Sequence, residues 1–142
     1  MKIHISNRQV VEELISNLTG TIAVISITDP DTPTVCDNCN NVLRLQFHDL
    51  DKIWPQLNEV TYFNDAMADA IIKFIIANKS TDHMIVHCEA GVARSPAIAA
   101  VINEYHNIQH TVFQKYCPNT MVLSILRARL KNFQSSKGKT ND

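Results

Sequence analysis

The stretch Val86-His87-Cys88-Glu89-Ala90-Gly91-Val92-Ala93-Arg94-Ser95 constrains this chain more than any other. An apolar run leads into it. A helical pattern with Pro96 in its first turn leads out of it, so it reads as strand, tight loop and helix. Cys88 then sits at the strand end and Arg94 at the first turn of the helix. Backbone N–H groups of the loop and the positive end of the helix dipole converge on one point. Such a point binds a phosphate dianion, and a guanidinium beside it grips two of the oxygens. The same dipoles favour the thiolate form of a cysteine placed there.

The rest of the chain alternates strands with helices. Lys2 to Ile5 alternates as a short strand. Val10, Val11, Leu14, Ile15 and Leu18 recur at helical spacing, with Asn7 as N-cap and Gly20 as the stop. Thr21 to Ile27 reads as a buried strand, broken by Asp29-Pro30-Asp31-Thr32-Pro33. Val42 to Phe47 is another strand. Phe63, Met67, Ala70, Ile71, Phe74 and Ile75 mark a long amphipathic helix that ends near Asn78-Lys79-Ser80. Met84 to His87 is the strand feeding the loop, and Arg94 to His106 is helical. Asn119 or Thr120 caps a last helix carrying Val122, Ile125, Leu126, Leu130 and Phe133. The predicted fold class is α/β: one domain with a largely parallel central sheet flanked by helices. In such sheets ligands bind at the carboxyl ends of the strands, and Cys88 lies at one. Residues 1–134 form the expected domain. The polar tail, 135–142, is expected to be disordered. The basic cluster Arg127, Arg129 and Lys131 fits a helix C-terminus.

Composition narrows the partners. A chain of 142 residues with 45% hydrophobic residues suits a single domain with one core. A net charge of −1 gives no electrostatic reason to expect nucleic acid or an anionic membrane as partner. No apolar run approaches the ~20 residues that span a bilayer. Met1-Lys2-Ile3-His4-Ile5 lacks a signal peptide's apolar stretch, so a cytoplasmic location is expected. Four cysteines make no dense disulfide framework. Cys36-x-x-Cys39 has no second ligand pair at zinc-binding spacing, so no metal or other cofactor is expected. The pair reads as two free thiols on a surface loop, and Cys117, before Pro118, as structural.

His87-Cys88, five residues, then Arg94-Ser95, with Gly91 inside and an apolar strand upstream, resembles the signature loop of the cysteine-dependent protein tyrosine phosphatases. The small dual-specificity-like branch is the nearest match. The resemblance spans roughly Thr21 to Phe133, and it is motif-grade around residues 84 to 102. It implies a phosphomonoester hydrolase that works through a phosphocysteine. Cys88 would be the nucleophile and Arg94 the clamp on the equatorial oxygens. Backbone amides of Glu89, Ala90, Gly91, Val92, Ala93 and Arg94 would form the cradle. Ser95 would donate a hydrogen bond to Cys88 and help the sulfur leave, or else serve as a helix cap. His87 would hold the loop and tune the thiol.

The resemblance also implies an aspartate acid on a loop just past an upstream strand. Asp49, closing Val42-Leu43-Arg44-Leu45-Gln46-Phe47-His48-Asp49, is the first choice, and Asp51 is the second. His48 is placed to shape that loop. Larger relatives carry Trp-Pro-Asp there, whereas this chain has Trp54-Pro55-Gln56, and glutamine is no proton donor. Residues 50 to 60 are expected to add a turn over the site. Glu89 beside the nucleophile disfavours polyanionic substrates and points to a simple phosphomonoester, such as phosphotyrosine, on a protein or a small molecule. Two other readings remain open: a rhodanese-like sulfur transferase, and a phospho-binding module with little turnover.

Overall fold

The computed structural model describes the backbone of residues 1–140 and the side chains of residues 1–136. The elements run β1 (Lys2–Asn7), α1 (Val11–Ser16), β2 (Ile22–Thr28), β3 (Val42–Gln46), α2 (Asp65–Ala77), β4 (His83–Cys88), α3 (Arg94–Tyr105), α4 (Val112–Lys115) and α5 (Thr120–Thr140). The four strands form one sheet in the order β1-β4-β2-β3, and every neighbouring pair is parallel. The α/β fold read from the sequence is therefore present, and its sheet is wholly parallel.

Side-chain alternation explains the layers. Ala23, Ile25 and Ile27 of β2, with Met84 and Val86 of β4, face one side and join the main core with α2, α3 and α5. Val24 and Ile85 face the other side, where α1 and the β2–β3 loop cover them. Both faces are buried, which is why the strands read as continuous apolar runs. In α3, ten consecutive residues from Arg94 to Asn103 are buried. Its apolar members, such as Ile98 and Ile102, contribute roughly 1.5–3 kcal/mol each by leaving water.

Several local expectations shift. Asn7 does not cap α1 directly. Its Oδ1 accepts from the N–H groups of Gln9 (2.9 Å) and Val10 (3.1 Å), a turn placed ahead of the helix. The short α4 carries too little periodicity to be read from sequence. Arg127 and Arg129 lie inside α5, not at its end. Arg127 binds Glu104 of α3 (2.7 and 3.0 Å), and Arg129 binds Asp69 of α2 (2.8 and 2.9 Å). These two-pronged pairs pin α5 across both neighbours. The segment read as an unstructured tail continues α5 through Thr140, and residues 141–142 lie outside the described part.

Cys36 departs from the surface reading of the Cys36/Cys39 loop. It is buried beside Val11, Val24 and Ile85. Burial, with Cys39 next to it, pushes its thiol up to about 12, so it stays protonated and inert. Cys117, by contrast, is exposed.

Because all four strands are parallel, their carboxyl ends share one edge of the sheet. Four connections leave from that edge: residues 8–10, 29–41, 47–64 and 89–93.

Candidate active site

The loop after β4 places Cys88 at the centre of a small set of donors. Gly91 N–H donates to Cys88 Sγ at 3.2 Å, and Ser95 Oγ lies 3.2 Å from the same sulfur. Cys88 is 2% exposed. Gly91 has φ +71°, a conformation that side chains resist. A Cβ at this position would also stand 3.0 Å from Ser6 O and 3.3 Å from Asn7 Cβ. Two independent constraints thus require glycine where the loop turns back against β1. α3 opens at Arg94 with no side-chain cap at Ala93, so its first N–H groups remain free for an anion.

His87 is fully buried on the opposite face of β4 and pairs in register with Ser26 of β2. Its Nδ1 lies 3.3 Å from Cys88 O, and its Nε2 lies 2.6 Å from Ser26 Oγ. A carbonyl only accepts, so Nδ1 carries the proton and Nε2 accepts from the Ser26 hydroxyl. The two bonds lock the ring and, through it, the peptide that carries Cys88. Burial holds His87 below the ordinary histidine pKa, and the bond to the Cys88 carbonyl opposes this only in part. The consequence for stability has a definite sign. Below the ordinary value of 6.5 the unfolded chain takes up a proton that the folded chain refuses. The stabilisation is complete above that value and is lost as pH falls through the window beneath it. The melting temperature is expected to drop between neutral and mildly acidic pH. His4 and His106 are lowered by burial in the same direction, so His87→Gln should flatten the drop in part. Melting curves of wild type and variant across that range check this; equal slopes would remove His87 from the account.

Arg94 is buried, and its side chain is 6% exposed. Nη1 donates to Asp29 Oδ1 and to Phe47 O, both at 2.7 Å. Nε is buried and has no partner among the described residues. With Nη1 anchored, the Nε/Nη2 edge is left for a ligand, and it is this edge of a guanidinium that holds two oxygens at once.

The candidate acids stand on the loop after β3. His48 closes this loop: its N–H donates to Thr61 O (2.8 Å), and its Nδ1 accepts from Thr61 N–H (2.9 Å). Trp54 packs within the largely exposed 50–60 segment. Tyr62 Oη accepts from its N–H at 2.9 Å, and Lys52 Nζ stands 4.1 Å from its ring centroid. Asp49 Oδ1 accepts from Asn119 Nδ2 at 2.7 Å. Asn119 also donates its backbone N–H to Ala93 O (3.0 Å), donates Nδ2 to Leu50 O (3.2 Å) and caps α5 by accepting from Val122 N–H (3.0 Å). One buried amide thus ties the loop after β3 to the loop after β4. Asp49 and Asp51 share a shallow cleft with Ala93, Cys117 and Pro118. Asp51 makes no side-chain hydrogen bond to the described residues.

Glu89 is tied sideways. Its Oε1 accepts from Arg8 Nη1 (3.3 Å) and from Asp29 N–H (3.1 Å), which offsets part of its charge. Asp29, Ser26 and Asn119 are the neighbours that sequence reading missed in these roles. Asn119 was legible only as a cap, and Asp29 only as the start of a Pro-rich loop. The one available signal for Asp29 is its position just past a strand's carboxyl end.

No protein-family model matches this chain, and no curated protein matches it in sequence. Solved structures do match its backbone. Human DUSP28 has 15% identity and a TM-score of 0.61, covering 94% of each chain. PTPMT1 in complex with PI(5)P has 14% identity and a TM-score of 0.60, covering 96% of this chain and 94% of that one. A mouse dual specificity phosphatase complexed with zinc tungstate has 15% identity and a TM-score of 0.54, covering 95% and 86%. This chain has the fold of those small phosphatases. No helix among the described residues is long and apolar enough to cross a membrane.

Proposed function

We propose that this protein is a phosphomonoester hydrolase of the cysteine-dependent type, acting on phosphotyrosine or on phosphorylated proteins more broadly. The observation that carries the reading is the arrangement around one sulfur. Cys88 Sγ has a backbone N–H and a hydroxyl each at 3.2 Å, below a helix start, beside an arginine whose Nε has no protein partner. A binding module has no use for the Ser95 hydroxyl on the sulfur, and a sulfur transferase is separated by the thiosulfate assay below. Asp29, Asp49 and Asp51 around the loop disfavour substrates with several phosphates. All four cysteines are free, which suits a reducing, cytoplasmic setting. Residues 1–134 are the catalytic unit in this reading.

The thiolate of Cys88 attacks phosphorus in line while the bond from phosphorus to the ester oxygen breaks. Asp49 gives its proton to the departing oxygen. Arg94 and the loop amides hold the three equatorial oxygens as charge develops on them. Water, deprotonated by Asp49, then attacks the phosphocysteine. The sulfur leaves as a thiolate that accepts from the Ser95 hydroxyl.

The test is a comparison of leaving groups. A good leaving group departs unprotonated, whereas a poor one needs the acid. Asp49→Asn is expected to slow an unactivated aryl phosphate by about 10²-fold or more and a nitrophenyl ester far less. Asp51→Asn should leave both rates near wild type. If Asp51→Asn shows the dependence instead, the two aspartates exchange roles. Wild-type protein that transfers sulfur from thiosulfate to cyanide and hydrolyses no phosphoester would overturn the whole reading.

A further inference from the structure

We propose that Asp29 is a positioning residue that sets the working orientation of Arg94. This deepens the phosphatase reading of the same site and rests on it. Asp29 is the first residue after β2, and its carboxylate binds Arg94 Nη1 at 2.7 Å. The guanidinium is nearly buried while Asp29 is 45% exposed, so the pair stands at the rim with the arginine on the inside. Two acceptors, Asp29 Oδ1 and Phe47 O, take the same nitrogen. A planar group held through one nitrogen by two fixed acceptors keeps one rotation about its long axis. That rotation leaves the Nε/Nη2 edge as the one able to take two oxygens of a phosphate.

Asp29 is itself held in place. Its N–H donates to Glu89 Oε1 at 3.1 Å, one residue from the nucleophile. Its carbonyl accepts from Thr32 Oγ1 (2.6 Å) and Thr32 N–H (3.3 Å). Gln46 Nε2 bridges Thr28 Oγ1 (3.1 Å) to Thr32 O (3.3 Å) across the base of the loop. Arg8 joins Glu89 to Pro33 O on the other side. The β2–β3 loop and the phosphate loop are therefore one framework. Asp29 is the point at which this framework reaches the clamp. No counterpart of this carboxylate lies within the motif, because it comes from the neighbouring strand.

Geometry and charge make opposite demands here, and this separates the role from others. A carboxylate near the cradle repels phosphate, so its charge does not help binding; its position does. Asp29→Asn keeps an oxygen for Nη1 and loses the charge. Asp29→Glu keeps the charge and displaces the oxygen. Asp29→Ala removes both. The experiment measures binding of vanadate and inorganic phosphate by calorimetry. It also measures kcat and KM for nitrophenyl phosphate and for an unactivated aryl phosphate, on all four proteins, with melting curves as a check on folding.

Asp29→Ala and Asp29→Glu are expected to bind either oxyanion about tenfold or more weakly and to lose about 10²-fold in kcat/KM, equally for both esters. Asp29→Asn is expected to stay close to wild type in both readouts. An alanine variant that binds and turns over like wild type overturns the proposal and leaves the phosphatase reading intact. So does an asparagine variant as impaired as alanine. A loss confined to the poor leaving group would make Asp29 a proton donor and overturn the positioning role. Should the alanine variant fail to fold, the contrast between Asn and Glu decides alone. Wild type that binds oxyanion without turnover removes the phosphatase reading, and the binding series still decides Asp29. Wild type that binds no oxyanion overturns both.

Discussion

Cys88→Ser is expected to abolish turnover while leaving oxyanion binding in place. The sulfur stands 3.2 Å from Gly91 N–H and 3.2 Å from Ser95 Oγ, so the loop stabilises an anion at that atom. A serine hydroxyl is a much weaker nucleophile than a cysteine sulfur, and the shorter serine side chain withdraws the atom from phosphorus. Loss of a nucleophile on this scale is on the order of 10⁴–10⁶-fold in kcat. The cradle is expected to survive because its donors are the backbone of residues 89–94 and the Arg94 side chain, and the new hydroxyl oxygen can still accept from Gly91 N–H in place of the sulfur. Inorganic phosphate should bind the variant about as tightly as wild type, by calorimetry, while vanadate, which the sulfur can bond as it would phosphorus, should bind it more weakly. Acid-quenched wild type incubated with an aryl phosphate should yield one phosphate on the peptide carrying Cys88, and the variant none. Turnover above a thousandth of wild type in Cys88→Ser would remove the covalent route.

Arg94→Lys has the second-largest expected effect. Lysine keeps the positive charge and can still reach Asp29 Oδ1 and Phe47 O, the two acceptors that hold Nη1. It has no second, parallel donor edge, so the two-pronged hold on phosphate is lost. The expected fall in kcat/KM is about 10²–10³-fold, the scale of removing a preorganised donor from a developing oxyanion. Oxyanion affinity should fall with it. The melting temperature should change little, because the ion pair survives in altered form. Arg94→Ala should lower both, since it leaves Phe47 O buried without a donor and Asp29 unpaired. A lysine variant with a near wild-type rate would mean that the Nε/Nη2 edge does not face substrate.

How much of this was readable depends on distance along the chain. The contact between Cys88 and Ser95 joins residues seven apart, and that between Gly91 and Cys88 joins residues three apart. Such contacts follow from a strand running into a helix through a loop of given length. The close approach of Gly91 to Ser6, by contrast, needed β1 beside β4, although glycine itself was already visible. His48 was legible as a residue that shapes the loop after β3, and it closes that loop on Thr61.

The buried Cys36 shows the opposite case. Its surroundings, Asp37, Asn38, Asn40 and Asn41, are polar, so the local pattern says surface. Yet α1 and the edge of the sheet supply Val11, Val24 and Ile85 around it. Burial there is decided by what packs over the loop, which no local pattern records.

The amino-acid sequence by itself determined the α/β class, the strand–loop–helix unit and the nearness of Cys88, Ser95 and Arg94 within it. These depend on side-chain periodicity, the conformational freedom of glycine and residues a few positions apart. Only the tertiary structure decided which distant groups meet at that unit. Asp29 meets Arg94 across 65 residues, Ser26 meets His87 across 61, and Asn119 meets Asp49 across 70. Each of those meetings follows from strand order. β4 lies beside β2, so the loop after β2 opens onto the phosphate loop, and α5 begins where the loop after β3 passes. Strand order arises from the packing of both faces of the sheet at once, a property of the whole chain and of no segment in it.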